Sequence, residues 1–310
     1  MSTPASTQTP ERILQRLDWK VVRRLDGLLQ GDYRSLFYGN GIDFADLREY
    51  QAEDDVRFID WNVTARMDVP HVRQYVEDRE ITAWFLLDLS PSIDFGSVRH
   101  QKRAMLIDFV TSVARVLTKH GNRVGAVFYS GANAPATAGN TTQKIETKVI
   151  PARGGRMQVL RLVNDLLKQQ PLARAPFTNL TPMFESALRS IKRRALVFVV
   201  SDFISMPGWE TPLRLMTRKH EVLAVRLWDP REVELPDIGP MLMEDAETGE
   251  QLYIDTHDKK FRQRFKEAAL KREAELNDTL KRAGVDALAL STEDDVVRAL
   301  LRFAARRKKR

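Results

Sequence analysis

The chain has 310 residues, 43% of them hydrophobic and 29% charged, with a formal charge of +7 and no cysteine. That is the make-up of an ordinary folded chain, long enough for one large domain or two smaller ones, and it excludes disulfides, zinc–thiolate and iron–sulfur sites and a cysteine nucleophile. Much of the positive charge sits in the final run Arg306-Arg307-Lys308-Lys309-Arg310, which lacks interleaved aromatics and reads as a solvated tail before it reads as a nucleic-acid site.

No apolar run nears the roughly 18–20 residues that cross a bilayer, and the Ser/Thr/Pro-rich start lacks the apolar core of a signal peptide. A soluble, cytoplasmic chain is the expectation. Residues 1–10 are polar and expected to be disordered. Over residues 12–30, Ile13, Leu14, Leu17, Val21, Leu25, Leu28 and Leu29 recur at helical spacing between Arg and Lys, which predicts an amphipathic helix.

Residues 31–80 change texture to Gly, Asp, Arg and aromatics without a long period, and read as a small β-rich subdomain of short strands and turns. Arg57, Asp60 and Arg66 near Trp61 are expected to form a semi-buried ion cluster, because such charges are buried only when paired. Asp60→Ala would then cost roughly 3–5 kcal/mol. The alternative is that Arg57, Asp60, Trp61 and Arg66 form a partner-binding surface.

From residue 81 onward strands and helices alternate, which argues for a doubly wound, mostly parallel α/β sheet. The apolar run ending in Asp88 predicts a buried strand over 82–88, followed by a helix over about 99–120. Further strands are expected at 123–130, 144–152, 195–202, 221–229 and 285–291, the 144–152 segment being polar enough for a sheet edge. Helices are expected at 157–169, 181–193, 210–220, 259–282 and about 293–306. A hairpin of 241–244 and 251–255 is inserted near 231–256, before the charged helix.

If the sheet has the order 3-2-1-4-5-6, its switch point lies between the strands that end in Asp88 and Asp202, where α/β proteins bind ligands. Two carboxylates in one crevice repel, which raises one pKa or recruits a cation. Ser90, Ser92 and either Thr178 or Thr181 add hard oxygens, a set that suits Mg²⁺, Mn²⁺ or Ca²⁺ over zinc or copper. Helix capping is the other use of such serines. The five histidines, His71, His100, His120, His220 and His257, fall near element ends, where surface or capping roles are expected.

These residues carry a resemblance. Asp88-Leu89-Ser90-Pro91-Ser92, the threonine of Thr178-Asn179-Leu180, and Asp202 after Val199-Val200-Ser201 resemble the metal-ion-dependent adhesion site of von Willebrand factor A domains, with Phe203 standing where that pattern usually has glycine. The preceding block, Gly39-x-Gly41-x-Asp43-Phe44, Arg48-x-Tyr50, Asp54-Asp55-x-Arg57-x-Ile59-Asp60-Trp61 and Ala65-Arg66, resembles the bacterial domain-of-unknown-function family 58. Together they imply a von Willebrand A-like (Rossmann-like) domain with metal ligands Asp88, Ser90, Ser92, Thr178 and Asp202. They also imply a non-catalytic, metal-assisted adaptor or co-chaperone for a MoxR-type AAA+ ATPase.

Two other classes compete. A metal-dependent phosphotransferase or hydrolase using Asp88 would need an acid where Ser90 stands. A nucleic-acid binder would act through the basic tail and show steep salt dependence. The sequence has no phosphate-binding Gly-x-x-x-x-Gly-Lys-Ser/Thr loop and no Gly-x-Ser-x-Gly elbow.

Overall fold

The computed structural model describes residues 9–12, 41–51, 54–78, 81–96, 101–133, 144–169, 178–245 and 247–307. In chain order its elements are β1 (Gly41–Glu49), α1 (Trp61–Met67), β2 (His71–Asp78), β3 (Thr82–Asp88), α2 (Lys102–Lys119), β4 (Arg123–Asn133) and β5 (Lys144–Arg153). There follow α3 (Arg156–Lys168), α4 (Thr181–Ser190), β6 (Leu196–Ser201), α5 (Glu210–Thr217), β7 (Glu221–Trp228), β8 (Pro240–Glu244), β9 (Gln251–Asp255), α6 (Lys259–Arg282), β10 (Asp286–Ser291) and α7 (Val296–Arg307). The helix expected over residues 12–30 lies outside the described residues beyond Arg12, as do most of the 131–143 connection and the tail after Arg307.

Six strands form the central sheet in the order β10-β7-β6-β3-β4-β5. All neighbours are parallel except β5, which runs antiparallel to β4 at the edge where the polar strand was expected. Counting the strands from β3 gives 3-2-1-4-5-6, so the crevice between β3 and β6 is the switch point. A bulge between Val124 and Ala126 lets β5 press close: a Cβ on Gly125 would lie 2.9 Å from the Ala152 nitrogen.

Alternation along the strands builds a core on each face. Phe85 and Leu87 of β3, Phe128 of β4 and Phe198 of β6 pack with α2, α3 and α7 on one face; Phe85 and Phe198 stack at 5.2 Å between centroids. On the other face Trp84, Leu86, Val197 and Val199 meet Phe184 of α4, Leu213 of α5 and Leu280 of α6. Each fully buried side chain of this size contributes about 1.5–3 kcal/mol, which fixes the strand ends that carry the polar residues.

Ahead of the sheet, β1 and β2 form a separate antiparallel pair with a bulge between Phe44 and Asp46. Between them lies α1, a helix that the sequence reading rendered as strands and turns. It has seven residues and buries none of them, so no apolar stripe marks it.

Phe203, just after β6, holds φ at 57°, a left-handed backbone that disfavours any side chain and explains why glycine suits this position. The ring compensates by burial against Trp209 at 5.5 Å, and its N–H donates to Ser201 Oγ at 2.8 Å. Phe203→Ala should lose about 3 kcal/mol of stability with the ring. Phe203→Gly should be the more stable of the two by about 1 kcal/mol, because it also releases the backbone. Chemical denaturation of both variants checks this, and the reverse order would show that the left-handed backbone carries no strain.

Candidate functional site

At the carboxyl end of β3 the chain turns through a short 3₁₀ segment, Pro91–Asp94, burying Asp88 and Ser90 completely and Ser92 nearly so. Asp88 Oδ1 accepts the Ser90 N–H at 3.0 Å, and Oδ2 accepts the Ser201 hydroxyl at 2.7 Å. The Ser90 and Ser92 hydroxyls face each other at 3.2 Å. Neither serine hydroxyl caps a helix: Ser90 occupies the cap position of the 3₁₀ segment without a side-chain cap bond. Burial, and then the charge of Asp202, pushes the Asp88 carboxyl well above the usual carboxylate range, against the opposing hydrogen bonds from Ser201 and Ser90.

Asp202 is bound differently. Its Oδ1 accepts the Ile204 N–H at 3.0 Å, and its Oδ2 accepts from Lys102 Nζ at 2.7 Å. Lys102, in the first turn of α2, is fully buried and also donates to Glu232 Oε1 at 2.6 Å. Burial works to lower the Lys102 pKa, and the Asp202 and Glu232 carboxylates outweigh it, so the ammonium is held above its usual range. Glu232 is itself positioned by a capping box, its Oε2 accepting the Asp229 N–H at 3.0 Å.

A third stretch, just before α4, supplies Thr178. Its loop is held by the Asn179 N–H donating to the Tyr129 hydroxyl at 3.1 Å, and by Ser205 Oγ, which accepts the Leu180 N–H and donates to the Thr178 carbonyl. Thr178, 2% exposed, donates its hydroxyl to Glu247 at the tip of the β8–β9 hairpin. Burial pushes the Glu247 carboxyl up against the lowering effect of Thr178, and the charge of Asp202 adds to the rise. Burial also pushes the Tyr129 hydroxyl up to about 12; the Asn179 N–H opposes this and the charges of Asp88 and Glu247 add to it. Thr181 instead starts α4 and lies beside Gly208, so Thr178 is the threonine that faces the acids.

The structure therefore brings together Asp88, Ser90, Ser92, Thr178 and Asp202. It adds Ser201, Lys102, Glu232, Glu247 and Tyr129, which sequence reasoning missed. Glu232 had a detectable signal, the Asp229-Pro230-Arg231-Glu232 capping pattern directly after a strand. Lys102 and Glu247 had none, since their contacts lie far apart in the chain. His71, His120, His220 and His257 lie elsewhere, His71 and His220 being buried and not at the surface, and His100 lies outside the described residues.

Could this donor set hold a hard cation? Among the described residues no group of three or more His, Asp or Glu side chains is arranged to do so. The candidate set has two carboxylates, with hydroxyls as the remaining donors. Asp88 is a buried acid met by hydroxyls and an N–H but, among the described residues, by no cation, whereas Asp202 already has an ammonium. A cation would relieve Asp88 directly, with Ser90, Ser92 and Thr178 as neutral oxygen donors and Asp202 acting through its charge or a remaining lone pair. The residues fit on chemistry, and Lys102 is the competitor for Asp202.

In the aromatic–arginine block the expected ion cluster is not assembled. Arg57 is exposed and bonds Asp55 at 2.6 Å. Asp60 is buried as the cap of α1, accepting the N–H groups of Asn62 and Val63 at 3.0 and 3.2 Å. Its short side chain suits that role. Arg48 likewise makes a two-pronged pair, with Asp54 at 2.8 and 2.6 Å. Trp61 is 69% exposed, and Val56 and Met67 are also exposed.

A mixed α/β chain whose mostly parallel sheet gathers acids and hydroxyls at its switch point is the class that fold and site define. Residues 46–275 match the family described as Protein of unknown function DUF58, and the chain belongs to that family. Uncharacterized proteins of Mycobacterium tuberculosis and Mycobacterium bovis are each 34% identical over 298 residues, covering 96% of this chain and 89% of the relative. Among solved structures, the conserved hypothetical protein BatB from Bacteroides thetaiotaomicron covers 74% of this chain and 100% of its own at a TM-score of 0.44 and 10% identity. An aerotolerance-related membrane protein from Bacteroides fragilis has the same coverage and TM-score at 13% identity. Among the described residues of the present chain no helix is long and apolar enough to cross a membrane.

Three substitutions test this geometry. Lys102→Met keeps the aliphatic stem and removes the charge, and should cost about 3–5 kcal/mol by leaving Asp202 and Glu232 without their cation; an unchanged denaturation midpoint would mean that the pair is not formed. Asp60→Ala should cost at least about 1 kcal/mol, the value of a helix cap. Trp61→Ala should leave stability within about 0.5 kcal/mol, and a loss above 2 kcal/mol in that variant would give Trp61 a structural role.

Proposed function

We propose that the chain is a non-catalytic, metal-assisted protein-binding module of the von Willebrand A type, serving as an adaptor or co-chaperone for a MoxR-type AAA+ ATPase. One observation carries the binding-site reading: Asp88, Ser90 and Ser92 after β3, Thr178 before α4, and Asp202 after β6 converge from three separated stretches on the switch point. The sheet order and its antiparallel edge strand agree with that reading. Asp88, Ser90, Ser92 and Thr178 would hold Mg²⁺, Mn²⁺ or Ca²⁺ with Asp202 behind them. When bound, the ion supplies a hard positive charge to which a partner's carboxylate can attach. The ATPase as partner rests on the sequence resemblance alone, and the exposed Trp61 with the neighbouring arginines Arg57 and Arg66 offers it a second surface.

Two features favour binding over turnover at Asp88. Both of its oxygens are engaged by Ser90 and Ser201, and Ser90 stands where a phosphotransferase needs its second acid.

Millimolar Mg²⁺ should raise the melting temperature of the wild-type protein, since a ligand of the native state stabilises it by about 2.7 kcal/mol at a hundredfold excess over Kd. Asp88→Ala/Ser90→Ala should remain folded and lose the response. An equal shift in both proteins would remove the site, and phosphate-ester turnover lost on Asp88→Asn would replace the module with an enzyme.

A further inference from the structure

The β8–β9 hairpin is attached firmly at its base and at its tip, and weakly between. At the base, Thr256 Oγ1 donates to the Gly239 carbonyl at 2.8 Å and accepts the Ile238 N–H at 3.0 Å. Along the arms only Ile254 is buried, while Leu242, Leu252 and Tyr253 are 55%, 55% and 72% exposed. At the tip, Asp245 Oδ1 accepts the N–H groups of Glu247 and Thr248 at 3.0 and 2.7 Å, and the Gly249 N–H closes on the Asp245 carbonyl at 2.8 Å. That turn is preformed and aims Glu247 at Thr178.

An arm with so little buried apolar area does not need a carboxylate at its tip for its own stability. The carboxylate it delivers meets Thr178, whose neighbour Asn179 holds the Tyr129 hydroxyl, and lies near enough to Asp202 for the two charges to repel. Like charges gathered in a partly buried crevice are unfavourable unless a cation joins them. A hydroxyl donor of the candidate metal set and an acid from a weakly held arm are therefore already in contact.

We propose that Glu247 is the chain's own carboxylate ligand for this site, holding the position that a partner's acid would take, so that the hairpin is a displaceable internal ligand. The inference rests on the metal-assisted reading above. It makes the partner group an acidic side chain that must compete with Glu247, and it couples partner binding to release of the exposed apolar arm.

The test is titration of the full chain with Mn²⁺ alone, together with amide hydrogen exchange of residues 240–255 with and without Mg²⁺. Glu247→Gln keeps the shape of the side chain and should weaken Mn²⁺ binding about tenfold. Metal should slow exchange in the wild-type hairpin and leave the Glu247→Gln hairpin unchanged. Equal Mn²⁺ affinity in the two proteins, with binding abolished in Asp88→Ala/Ser90→Ala and the hairpin indifferent to metal, would overturn the role of Glu247 while the metal site stands. If the wild type bound Mn²⁺ no better than Asp88→Ala/Ser90→Ala, the metal reading and the internal ligand would fall together.

Discussion

Two carboxylates buried side by side at the ends of adjacent parallel strands set the terms for everything around them. A buried charge costs several kcal/mol unless paired, and two of like sign add repulsion to that cost. Asp202 is answered by Lys102, which α2 carries in at its first turn and which Glu232 holds from the other side. Asp88 receives the Ser201 hydroxyl and the N–H and hydroxyl of Ser90, and no cation among the described residues. This inequality makes Asp88 the seat of the proposed cation.

The architecture follows from keeping that pair in place. Apolar runs in β3 and β6, covered on both faces, fix where the two strands stop, and the first polar groups after each run fall into one crevice. The left-handed turn at Phe203 folds the chain back immediately after Asp202, at a backbone cost that ring packing against Trp209 offsets. The hairpin between β7 and α6 then reaches back over the crevice from the same edge of the sheet, the edge at which α/β proteins place their ligands.

The sheet and the first five site residues were legible in the sequence because their signals are local. An apolar strand ending in Asp-x-Ser-x-Ser is readable within nine residues, and a second strand ending in Asp202 repeats it. The edge strand was legible from its polarity. Lys102 looked like one of many cations at a helix start, and Glu247 like one of several acids in a turn; only the fold shows that each reaches a residue far away in the chain. The α1 helix was hidden because it buries nothing, and the capping role of Asp60 shows only once the following N–H groups are placed. The family block marked Arg48 and Asp54 without revealing that they bond each other.

The proposed binding function depends on a cation at Asp88, and the most direct measurement is an anomalous difference map from crystals grown with Mn²⁺. It should show a peak enclosed by the Asp88 carboxylate and the hydroxyls of Ser90, Ser92 and Thr178, with Lys102 still on Asp202. Manganese bound elsewhere, with Asp88 still bonded only to Ser90 and Ser201, would contradict it.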